Sequence, residues 1–183
     1  SAASDVYKRQ ATQGRRQVGS TIKPFLYALS MSNGMSPCDV APNVQRSYGN
    51  WTPRNGSRSR YGQMVTLKWG LAQSNNWISA YLMSRINPQD FLRILRDFGI
   101  NTYGVYPSIV LCLGPNEASV CEMVSAYTTF ANHGIHCSPM FVSKIEDNEG
   151  NVIATFQPRM NEVISEESAY KMLEMLKLSL IHI

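Results

Sequence analysis

The 183-residue chain contains no run of about 20 apolar residues, so no membrane-spanning helix is expected in it, and no secretory leader is recognisable. Histidine is scarce. Only His133, His136 and His182 are present, which leaves little from which to build a Ser-His-Asp triad. Cys38, Cys112, Cys121 and Cys137 show no Cys-x-x-Cys spacing, which argues against a zinc site. Four buried thiols account for them as well as a disulfide does. The run His133-Gly134-Ile135-His136-Cys137 reads as a helix ending at Gly134 and then a turn, rather than as a metal site. Charged residues are only 16% of the chain and hydrophobic ones 44%, which excludes a highly charged disordered segment and fits one globular piece with a sizeable core. The net charge of +4 is scattered, and Arg54-Asn55-Gly56-Ser57-Arg58-Ser59-Arg60-Tyr61 reads as a solvated loop, not a nucleic-acid site. Neither an internal repeat nor a low-complexity tract is present.

What the chain does have is a serine and a lysine one helical turn apart, in Gly19-Ser20-Thr21-Ile22-Lys23-Pro24. A serine hydroxyl is a weak nucleophile and needs a base beside it. Positions i and i+3 share a helix face, so Lys23 can sit next to Ser20, and burial would lower its pKa until it can accept the serine proton. Gly19 permits a sharp entry into the helix, whose N-terminus offers N–H groups to a developing oxyanion. The spacing alone is common, and Ser168-Ala169-Tyr170-Lys171 shares it. That second match reads as the exposed side of an ordinary helix, whereas Ser20 is followed by the apolar run Pro24-Phe25-Leu26-Tyr27-Ala28-Leu29.

A second element is Ser74-Asn75-Asn76, a polar break between the helical patterns Val65–Leu71 and Ile78–Met83. Side chains at such a break project into a cleft. A serine there can relay a proton to a leaving amine, and an asparagine can hold a substrate amide. Alone, the motif reads as a polar interhelix turn.

In this order and with their flanks, the two motifs resemble the transpeptidase domain of penicillin-binding proteins, most closely the class A, bifunctional type. The resemblance extends through Arg16–Phe25, Trp51-Thr52-Pro53-Arg54-Asn55, Tyr61–Leu67, Leu113-Gly114 and Ser125–Gly134, and covers residues 11–177. It implies that Ser20 is the acylated nucleophile, Lys23 its general base, Ser74 a proton relay and Asn76 a substrate contact. The implied reaction is D,D-transpeptidation of peptidoglycan stem peptides, with β-lactams as acylating mimics and with no metal or organic cofactor. The implied location is the periplasmic face of a bacterial inner membrane, reached through an N-terminal anchor outside this sequence. A serine β-lactamase or D,D-carboxypeptidase of the same fold is an alternative, as is a non-catalytic β-lactam sensor.

The family's third motif, Lys-Thr/Ser-Gly, is missing: no Lys or Arg here is followed by Ser or Thr and then Gly. The ends, residues 1–10 and 178–183, resemble translated adapter sequence. Together these features predict an internal, inactive fragment whose native part is 11–177. The expected fold is α/β (α+β), the helix-rich part of a penicillin-binding transpeptidase or serine β-lactamase-like architecture with an incomplete central sheet.

The remaining punctuation places further elements. Asn33-Gly34 ends the nucleophile helix, and residues 35–63 form a long loop that could wall the cleft, with packing over the surface as the preferred reading. Asn87-Pro88 opens a helix closed by Gly99, with Phe91, Leu92, Leu95 and Phe98 as its core stripe. Ser119 and Glu122 form a capping box leading into Met123, Val124, Tyr127 and Phe130. Segments 141–145 and 151–156 flank Asp147-Asn148-Glu149-Gly150 as a hairpin, and Ser165 caps a last helix ending at Lys177.

Overall fold

The computed structural model describes residues 10–181. The tail reading of residues 1–9, and His182, lie outside the described residues. In chain order the elements are β1 (Arg15–Gln17), a 3₁₀ turn (Gly19–Ile22), α1 (Lys23–Ser32), β2 (Val40–Pro42), β3 (Met64–Thr66), α2 (Leu67–Ala72), α3 (Asn76–Met83) and α4 (Pro88–Asp97). A second 3₁₀ turn (Ile109–Leu113) follows, then β4 (Glu117–Ser119), α5 (Val120–Ala131), β5 (Ile135–Cys137), β6 (Lys144–Glu146), β7 (Val152–Thr155), β8 (Met160–Glu162) and α6 (Glu166–Ile181). Among the described residues the strands form four separate antiparallel pairs, β1–β4, β2–β3, β5–β8 and β6–β7, and no larger sheet.

Helix α1 is the axis of the core. From Pro24 to Ala28 every residue is buried, so the helix is enclosed all round rather than amphipathic. Phe25 packs its ring 4.9 Å from Phe98, 5.2 Å from Tyr127 and 5.7 Å from Phe130, which fixes α1 against the end of α4 and against α5. Pro24 sits in the first turn of α1, where its missing N–H costs nothing.

The expected caps form. Asn87 accepts from Gln89 N–H at the start of α4, and Ser119 with Glu122 makes the reciprocal capping box of α5. The 144–155 hairpin turns through Asp147, whose carboxylate accepts from the N–H groups of Glu149 and Asn151.

Several expectations need correcting. Val124 is 59% exposed, because α5 packs on the core through Ser125, Ala126, Thr129 and Phe130. Ser168 is not on an exposed face but 4% exposed, with its N–H and hydroxyl both turned to Ser165 Oγ. Residues 135–137 are a strand, not a turn, because they pair with 160–162. Helix α6 continues past Lys177 to Ile181. The cysteines are free thiols of mixed exposure: Cys112 is buried, Cys121 and Cys137 are partly buried and Cys38 is exposed. His133 and His136 go to different partners, Glu166 on the surface and Ser125 in the interior.

Candidate active site

The Ser20 turn is held from outside its own segment. β1 pairs with β4, Val18 N–H donates to Asn116 C=O (3.0 Å), and Gly19 N–H donates to Gly114 C=O (3.0 Å). Gly114 has φ +67°, and a Cβ there would lie 2.1 Å from the Gly19 carbonyl oxygen. Only glycine allows the two backbones to approach so closely. Gly19, at φ +54°, then swings the chain into the 3₁₀ turn. Lys23 N–H donates to Ser20 C=O, and the three-residue period of a 3₁₀ turn stacks position 23 over position 20. Ser20 is exposed and Lys23 is 1% exposed, so the serine faces solvent while its neighbour is desolvated.

Lys23 Nζ reaches forward to the second motif. It donates to Ser74 C=O (2.6 Å), Ser74 Oγ (2.9 Å) and Asn76 Oδ1 (2.7 Å). Three oxygen acceptors match the three protons of an ammonium, so this geometry is that of the charged amine. Burial lowers its pKa from 10.5 to about 8, slightly opposed by the neighbouring Cys112. The Cys112 thiol is pushed up to about 12, chiefly by its own burial, so it remains neutral beside the amine. Among the described residues Lys23 has no carboxylate partner. Its charge is therefore met by hydrogen-bond acceptors alone, while burial draws its pKa down toward neutrality.

The second motif is shaped to receive that amine. Ser74 adopts φ +48°, a conformation that costs a non-glycine residue about 1 kcal/mol, and this turns its carbonyl and hydroxyl toward Lys23. Asn75, the N-cap of α3, accepts from Trp77 N–H and Ile78 N–H. Its amide donates to Asn43 Oδ1 (2.8 Å), and both side chains are buried. Asn43 in turn donates to the carbonyls of Ser59 and Arg60.

The long loop 35–63 therefore lies against the Ser74–Asn76 segment, which favours the walling reading over simple packing on the surface. Arg54 C=O accepts from Asn76 Nδ2 (2.7 Å), which fixes the amide so that Oδ1 faces Lys23. Asn55 Oδ1 accepts from Asn76 N–H (2.9 Å), and Pro53 C=O accepts from Trp77 Nε1–H (3.1 Å).

The structure thus brings Lys23, Ser74 and Asn76 into direct contact and sets Ser20 one 3₁₀ turn from Lys23. No hydrogen bond joins Lys23 Nζ to Ser20, because the amine's donors are committed to the second motif. The expected oxyanion donors are reduced by one, since Thr21 N–H turns back to Val18 C=O (3.2 Å). Asn43, Asn55, Asn75 and Gly114 escaped functional reading from the sequence. The sole signal was the Trp51–Asn55 and Leu113-Gly114 text around the motifs. An open groove of about 610 Å³ runs beside the turn, lined by Val18, Thr21, Met123, Val124 and Tyr127, but it excludes Lys23, Ser74 and Asn76. The hydrogen-bonded cluster of Lys23, Ser74 and Asn76 and this groove are therefore separate features.

Comparison with known proteins gives a consistent answer. The sequence profile of the penicillin binding protein transpeptidase domain matches residues 2–179. Penicillin-binding protein 1A of Neisseria lactamica is 33% identical over 156 residues, covering 81% of this chain and 19% of that protein. Penicillin-binding protein 1A of Aquifex aeolicus is 30% identical over 174 residues, covering 92% of this chain and 24% of that protein. The chain spans about a fifth of the length of such curated relatives. Among solved structures, penicillin-binding protein 1A from Haemophilus influenzae superposes with a TM-score of 0.81 at 26% identity, covering 93% of this chain and 30% of that one. The imipenem acyl-enzyme complex of penicillin-binding protein A from M. tuberculosis gives 0.83 at 18% identity, covering 96% and 46%, a likeness of fold. On this evidence the chain belongs to the penicillin-binding protein transpeptidase family.

Proposed function

We propose that this chain carries the acyl-transfer centre of a peptidoglycan D,D-transpeptidase, as part of a longer exported protein at the periplasmic face of a bacterial inner membrane. Ser20 Oγ attacks the carbonyl of the penultimate D-Ala of a stem peptide, and neutral Lys23 takes its proton. The proton passes through Ser74 Oγ to the nitrogen of the departing terminal D-Ala as the peptide bond breaks. Asn76 holds the donor's amide. An amine of a second stem then displaces Ser20 from the ester and completes the cross-link. β-Lactams enter as cyclic mimics of the donor and leave the serine acylated.

The observation that carries this reading is the Lys23 clamp: a 1% exposed amine bound to Ser74 and Asn76, with its pKa brought down to about 8. At pH 7 roughly a tenth of such an amine is neutral and able to act as a base. Among the described residues no other lysine is so buried. The test is covalent labelling with a fluorescent penicillin followed by peptide mapping. In the domain completed with its Lys-Thr/Ser-Gly segment, Ser20→Ala should abolish the label and Ser168→Ala should leave it, and a label that persists in Ser20→Ala would sink the assignment.

A further inference from the structure

Between Asp39 and Asp90 the chain has no acidic residue at all, while it carries Arg46, Arg54, Arg58, Arg60, Lys68 and Arg85. This one stretch holds more positive charge than the net +4 of the whole chain. Among the described residues none of these six cations enters an ion pair. The same stretch contains Ser74 and Asn76, and its loop is tied down at the site. Arg54 gives its carbonyl to Asn76, Asn43 grips the carbonyls of Ser59 and Arg60, and the Tyr61 ring packs 5.2 Å from Trp77. The Arg60 guanidinium lies 5.4 Å from the centre of the Trp69 ring, a contact that holds its charge in place without neutralising it. Arg54, Arg58 and Arg60 are exposed, on a strap whose backbone is tied to Asn43 and Asn76.

We infer that Arg54, Arg58 and Arg60 form an anion-selective rim that favours acyl-donor peptides whose side-chain carboxylates are free over those whose carboxylates are amidated. The inference rests on the acyl-transfer reading of Ser20. An acid-free surface around a cleft concentrates anions, and the guanidinium fork matches a carboxylate in geometry as well as charge. The buried Lys23 ammonium adds to the same field with no carboxylate to cancel it. A nucleic-acid strand would also be attracted by charge, but Asn76 and the clamped amine suit a peptide amide, and the strap offers no row of unstacked aromatic faces for bases.

The test is fluorescence anisotropy with the full 183-residue chain. The two probes are a dye-labelled peptide ending in D-Ala-D-Ala with free side-chain carboxylates, and the same peptide with those groups amidated. Each exposed arginine contact contributes modestly, so a preference of about tenfold for the anionic peptide is expected at low salt, shrinking at about 0.5 M salt. The triple variant Arg54→Gln/Arg58→Gln/Arg60→Gln should lose the preference, and Arg54→Lys/Arg58→Lys/Arg60→Lys should retain most of it. Equal or undetectable binding of the two peptides, or a preference that survives in the glutamine variant, would overturn the rim. So would tighter binding of a single-stranded oligonucleotide than of the anionic peptide. Penicillin labelling of Ser20 is read separately in the domain completed with a Lys-Thr/Ser-Gly segment. Failed labelling with an intact preference counts against acyl transfer alone, and labelling without a preference counts against the rim alone.

Discussion

At the scale of single residues, Lys23 sets the pH at which this site can work. Its three hydrogen bonds favour the ammonium, and its burial opposes it, with a net pKa of about 8 against an ordinary 10.5. A general base acts only in its deprotonated form, so acylation should rise with pH, close to tenfold per unit well below the pKa, and level off above it. Rates of fluorescent penicillin labelling from pH 5.5 to 9.5 would show this, and a flat profile would remove Lys23 from the role of base. The asparagines illustrate what spacing conceals. The nearness of Lys23 to Ser20 was legible because positions i and i+3 share a helix face, and Ser74 and Asn76 stood out as a polar break between apolar helices, which Lys23 contacts. Asn43 and Asn75 were not legible, because a buried amide is recognisable only once its partner, 32 positions away, is seen against it.

At the scale of elements, the Gly114–Gly19 contact is the joint on which the nucleophile turns. A side chain at 114 would meet the Gly19 carbonyl at 2.1 Å, whereas a Cβ at Gly19 would meet nothing within 4 Å. Gly114→Ala should therefore cost roughly 2–4 kcal/mol of stability and most of the penicillin labelling, against about 1 kcal/mol for Gly19→Ala from its positive φ alone. Urea midpoints of the two variants, with labelling measured well below each midpoint, would check the asymmetry. Helix boundaries were the most readable elements: Asn87-Pro88 and the Ser119/Glu122 box each placed a start correctly through a local hydrogen bond. Strand β5 was not readable. It has three residues, too few to show a period, and its existence depends on pairing with residues 160–162. Ser168 and Val124 were misread for a related reason: a helix's pattern gives its faces, but packing decides which of them is inside.

At the scale of the whole molecule, the site is a long-range assembly. Ser20 is set by Gly114, Lys23 by Ser74, and Asn76 by Arg54, so none of the three segments is complete by itself. Loss of penicillin labelling in urea should consequently coincide with loss of helical circular dichroism, as one transition. Labelling that persists beyond the helical transition would mean that the turn at Ser20 is preserved locally. The β1–β4 closure also spans about a hundred residues, a loop that contact-order reasoning places among the slow events of folding. A chain leaving the ribosome has therefore displayed both of its motifs well before it possesses a nucleophile. On the acyl-transfer reading, Ser20 remains an ordinary hydroxyl, beyond the reach of a β-lactam, until the segment from Gly114 to Ser119 has been synthesised and has folded back.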